Sequence, residues 1–184
     1  MIAAGFCPGD TLFGQSINPF MRYHSSRMDE KRELLRHSLA TVAYRAARAL
    51  AGAPDDFAFF AGGGGRQPVE ILAHMGDLFD WALTAAQGHM HWHTSQPLPW
   101  EQERQRFFAS LRALDTALAA DEPIHAPVER LLQGPVADAL THVGQFAMLR
   151  RMAGSPARGE NFYVAAISAG QVDAEQLEPI EPFR

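Results

Sequence analysis

The chain has 184 residues, of which 30 are Ala and 17 Leu, against 7 Val, 6 Ile and 6 Thr. That balance favours helix over strand, because Ala and Leu lose little in a helix whereas β-branched residues prefer sheets. A hydrophobic share of 47% and a charged share of 20% exclude wholesale disorder, and the length allows about one domain with a real core. The net charge is −5, with Lys31 the only lysine, so the basic face that a nucleic-acid binder needs is missing. Cys7 is the single cysteine, which excludes an internal disulfide and a thiolate zinc knuckle and fits a reducing, cytoplasmic setting. No apolar run approaches the length of a membrane span.

Residues 1–27 mix Gly, Pro, Ser and aromatics without periodicity, and they lack the basic and apolar blocks of a secretory signal. They read as an irregular N-terminal extension, or as an upstream start with Met28 the natural beginning. The domain is then 28–184. A first helix is predicted from about Asp29 to Ala51, with Leu35, Leu39, Val42, Ala46 and Ala49 forming one apolar stripe. Gly52 and Pro54 stop it. Gly62 to Gly65 read as a flexible connector, since the Lys-Ser/Thr of a phosphate loop is absent. A second helix is predicted from Pro68 to Gln87 and a third from about Pro99 to Ala120, the latter with Phe107, Leu111, Leu114 and Leu118 in register. Between these two lies a loop with His89, His91 and His93. After a possible short turn at 128–132, a fourth helix from Pro135 to Ala153 is apolar almost all round, which predicts a central position. The tail from Arg158 alternates apolar residues at Phe162, Val164 and Ala166, the pattern of an extended segment on a helical bundle.

Three polar stripes are candidates for chemistry. The fourth helix carries Asp138, Thr141, His142 and Gln145 at i, i+3, i+4 and i+7, either a satisfied core network or a site. The second carries Glu70, His74, Asp77, Trp81 and Thr84. By periodicity this arc faces solvent, yet a tryptophan in its middle points to a covered face or a pocket wall. The first carries His37, Thr41, Tyr44 and Arg48, the pattern of a solvated face. Alternate histidines in the loop can chelate a metal on an extended backbone, although solvated histidines are the commoner outcome. There is no nucleophile elbow.

Leu72-Ala73-His74-Met75 with Asp77 and Trp81 resembles the second helix of the DinB-like superfamily, and Asp138 to Gln145 resembles its fourth. The segments Leu149 to Pro156 and Gly159 to Phe162 are similar to one subgroup of it. The resemblance spans about Met28 to Glu175. It implies an all-α, up-down-down-up four-helix bundle, a homodimer, and a divalent metal, zinc or nickel, held by one histidine on the second helix and an H-x-x-x-H pair on the fourth. His74 and His142 match that set, but position 146 is Phe, so the implied metal is weak or absent. Gln145, Asp77 and His37 are the further candidates around the ion, and Tyr44, Trp81 and Arg150 the candidate pocket residues, with Arg150 available for a substrate carboxylate. The implied activity is metal-assisted S-transfer of a low-molecular-weight thiol to an electrophile, or a stress-related enzyme. The alternatives are a non-catalytic binding or dimerisation module and a small-molecule carrier.

Overall fold

The computed structural model describes residues 19–183, with side chains from residue 29. Four long helices pack around one apolar core: α1 (Pro19–Leu50), α2 (Pro68–Ala86), α3 (Trp100–Ala119) and α5 (Ala137–Met152), the last preceded by the single turn α4 (Val128–Leu131). A 3-10 turn (Asp55–Phe59) lies between α1 and α2. Among the described residues there is no strand, and no helix is long and apolar enough to cross a membrane.

The helical periodicities translate directly into burial. Leu35, Leu39, Val42, Ala46 and Ala49 of α1 and Phe107, Leu111, Leu114 and Leu118 of α3 are all buried. Pro68 begins α2, where its missing N–H is of no consequence, and the Glu70 carboxylate accepts the Gln67 N–H at 2.7 Å, so the first residue of the second polar stripe is a helix cap.

Contacts at the helix ends give the directions. Arg32 donates to the carbonyls of Ala120 and Glu122, and Arg36 pairs with Asp115, so α1 and α3 are antiparallel. Arg106, near the start of α3, reaches Ala73 and Asp77 of α2, while Ala86 of α2 and Ala117 of α3 line one pocket at the other end, so α2 and α3 are parallel. Lys31 pairs with Glu129, and Arg150 reaches the Ala49 carbonyl, so α1 and α5 are parallel.

Four expectations change. First, α1 begins at Pro19 rather than Asp29, because nothing between Phe20 and Leu50 is a Gly or Pro. Residues 19–27 are therefore helical, and residues 1–18 lie outside the described residues. Second, Pro135 does not start a helix. It sits inside a π-helical segment (Leu132–Val136) that joins α4 to α5, where the widened turn accommodates the ring and the missing donor. Third, α5 is buried on one side only. Ala139, Val143 and Phe146 enter the core, while Met148 and Met152 are each 53% exposed. Fourth, residues 162–165 turn instead of extending, because the Asn161 side chain accepts the Tyr163 N–H at 3.1 Å. The rest of the tail returns to the helices through Val172 in the core and an isolated bridge between Glu160 and Pro182.

Candidate metal centre

Asp138 and His142 lie four residues apart on α5 and so share a face, and α2 brings His74 opposite them. His74 Nε2 is 3.5 Å from Asp138 Oδ2, and His142 Nε2 is 3.5 Å from Asp138 Oδ1. The two imidazole rings are 5.0 Å apart and nearly perpendicular at 87°. One donor atom from each of the three residues falls within 4.8 Å of the others. Each nitrogen approaches a different oxygen of the Asp138 carboxylate, and donors around a tetrahedral ion with bonds of 2.0–2.1 Å stand about 3.3 Å apart, so the cluster is of the size that holds one ion. Two imidazoles and a carboxylate are the donor set of open catalytic zinc sites and of non-haem iron sites.

His142 Nδ1 lies 2.9 Å from Gln145 Oε1, a contact that orients the ring. The pKa of His74 is held below the usual imidazole value, chiefly by burial, then by the neighbouring His142 and Arg66, against the opposing pull of Asp138. A neutral His74 keeps its nitrogen lone pair available as a ligand. Among the described residues no Lys or Arg pairs with Asp138. Trp92 packs edge-on to His74 at 5.9 Å, and a pocket of about 380 Å³ opens beside His142 and Gln145.

No family model, curated protein or solved structure matches the chain.

His74 and His142 lie in one cluster, and the third residue of it that could hold an ion is Asp138, one turn before His142 rather than one turn after it. Phe146 lies fully buried in the core. The D-x-x-x-H spacing was visible in the fourth-helix stripe. Gln145 holds His142 by hydrogen bond and is not one of the three clustered donors.

The other candidates are placed elsewhere. Asp77 is buried in a second cluster with Asp80 and His93, where it accepts the Ser95 N–H at 2.9 Å, the Ser95 hydroxyl at 2.8 Å and the Arg106 guanidinium at 3.0 Å. His37 is exposed on α1 and belongs to neither cluster. Tyr44 is buried under the tail, its hydroxyl donating to Glu160 at 2.7 Å. Trp81 lines a different pocket, with Met90, His125 and Arg130.

Arg150 is not available to a substrate. Its guanidinium donates to the carbonyls of Ala49, Ala51, Gly52 and Ser155 and to the Ser155 hydroxyl, which closes the C-terminal end of α1. The loop histidines do not converge either. His93 faces Asp77 and Asp80, His91 stacks on His93 at 6.4 Å, and His89 is exposed. The loop runs back along α2, tied at Thr84 and Asp77, and so covers the polar stripe that periodicity alone turned toward solvent.

Proposed function

We propose that the chain is a DinB-like four-helix bundle in which His74, Asp138 and His142 hold a divalent metal ion, zinc or nickel, for S-transfer of a low-molecular-weight thiol to an electrophile. The observation that carries the reading is the meeting of two imidazoles and a carboxylate with no arginine or lysine partner among the described residues. The helix directions support the bundle, since α2 and α3 run parallel, as do α1 and α5. A divalent ion lowers the pKa of a thiol and makes the thiolate available at neutral pH.

The chain's own residues do the remainder. His74 and His142 supply neutral nitrogens, and Asp138 supplies the negative charge that offsets part of the ion's. Gln145 fixes the ring of His142 through Nδ1, an outer contact of the kind that is worth roughly 10–100-fold in metal affinity. Trp92 shields one side of His74 from water, and the pocket at His142 leaves room for a small ligand. In this reading the protein works in the cytoplasm as a homodimer, and sedimentation is expected to give twice the chain mass of 20.3 kDa.

The test is calorimetric titration with Zn²⁺ and Ni²⁺ of the wild type and of Asp138→Ala, followed by thiol-consumption assays on the loaded protein. One ion per chain in the wild type and none in the variant is the expected result. A wild type that takes up no stoichiometric metal refutes the reading.

A further inference from the structure

The pocket beside the metal centre has a second chemical feature, which the donor cluster does not use. It is lined by His142 and Gln145, by the apolar side chains of Ile71, Met148 and Leu149, and by Arg66. Among the described residues the Arg66 guanidinium has no hydrogen-bond or ion-pair partner, in contrast to Arg106 and Arg150, whose donors are taken up within the protein. No acidic side chain lines the pocket. The anion that would complement Arg66 is thus not supplied by the pocket itself.

The Arg66 side chain is exposed at the rim of the pocket, and what is fixed is the backbone beside it. A Cβ on Gly62 would stand 2.4 Å from Leu149 Cδ2, so a larger residue there has to move that side chain. Gly63 and Gly64 adopt φ of 75° and 86°, in the left-handed region. On the other side, the Glu70 carboxylate on the Gln67 N–H fixes the start of α2.

We propose that Arg66 anchors the anionic end of the ligand taken by this pocket, and that the ligand is a small carboxylate with a short apolar chain. The inference rests on the metal-site reading for what the other end of the ligand meets. A guanidinium pairs bidentately with a carboxylate, and Ile71, Met148 and Leu149 suit an aliphatic chain in a pocket of about 380 Å³. In the metal-free protein Arg66 is, among the described residues, the one arginine or lysine in the pocket lining, and a single guanidinium matches one negative charge better than the two of a phosphate.

The experiment uses protein freed of metal with EDTA, so that no ion competes for the carboxylate. Hexanoate and 1-hexanol are titrated by NMR into the wild type, Arg66→Gln and Arg66→Lys. The expected result is hexanoate binding about tenfold tighter than hexanol to the wild type, the scale of one charge-assisted pair. Arg66→Gln removes the preference and Arg66→Lys keeps part of it. Equal affinities, no saturable shift with hexanoate, or a preference that survives Arg66→Gln overturns the proposal. The outcome is independent of the zinc titration. A carboxylate preference without metal uptake leaves the anchor standing and removes the metal reading, and the converse removes the anchor alone.

Discussion

His74 and Asp77 are three residues apart on α2, yet they belong to clusters of opposite character. His74 meets Asp138 and His142, whereas Asp77 meets Asp80 and His93. The residue types are nearly the same, and the difference is Arg106. Its guanidinium pairs with Asp77, Asp80 and Glu103 and donates to the Ala73 carbonyl, so the second cluster already holds its cation. Asp77 also ties down the loop through Ser95. The second cluster is therefore a strut joining α2, α3 and the loop. The first has no arginine or lysine partner among the described residues, which leaves its donor atoms open to the external ion proposed above. A list of carboxylates and histidines within reach of each other is thus an incomplete criterion for a metal centre, and the position of the nearest arginine completes it.

The comparison can be broken most severely at the strut. Asp77→Ala removes the buried partner of three donors and leaves the half-buried Arg106 short of a counter-charge. We expect a loss of about 3 kcal/mol in urea denaturation, the lower end for breaking such a pair because Arg106 keeps Glu103 and some solvent. Zinc stoichiometry should be unchanged in this variant, and a loss of metal with no loss of stability would reverse the assignment of the two clusters.

At the metal centre the expected pattern is the opposite. His142→Ala should weaken Zn²⁺ by roughly 100-fold or more, since even outer contacts are worth 10–100-fold, while the unfolding midpoint of the metal-free protein moves little. Gln145→Leu sharpens the point, with an expected weakening of about tenfold from loss of the hydrogen bond to His142 Nδ1. Calorimetry on both variants distinguishes a donor from its support.

Gly76 offers a milder probe of the strut. A Cβ there would stand 2.7 Å from the Arg106 guanidinium, so Gly76→Ala has to displace it from Asp77. A cost of about 1–2 kcal/mol is expected by denaturation, with metal affinity retained.

The smallest effect is a pH dependence. His74 has a lowered pKa in the folded chain, so below the ordinary imidazole value of 6.5 the unfolded chain binds more protons. Stability of the metal-free protein should fall as pH drops from that value through the folded one, and level off below it. His74→Gln should flatten this part of the profile, and an unaltered slope would show that His74 is not its source.

The sequence by itself determined the apolar faces of the helices, and it set His74 and His142 on two polar stripes. Burial repeats every 3.6 residues, and that signal is local, so the stripes of α1 and α3 are legible without knowing what they pack against. Asp138 was legible as part of a stripe, but its role was not, because a donor is defined by what faces it across the bundle. Charge pairing between elements was beyond local reading. Arg66, Arg106 and Arg150 look alike in a sequence. Only the tertiary structure makes one close the end of α1, one neutralise Asp77 and one face a pocket unpaired. The same holds for the loop over α2, whose hydrogen bonds to Thr84 and Asp77 cover a face that periodicity assigns to water. The reason is range. A helix satisfies its own backbone within four residues, whereas ionic partners here come together across separations such as the 29 residues between Asp77 and Arg106, which only the packing of the chain brings within 3.0 Å.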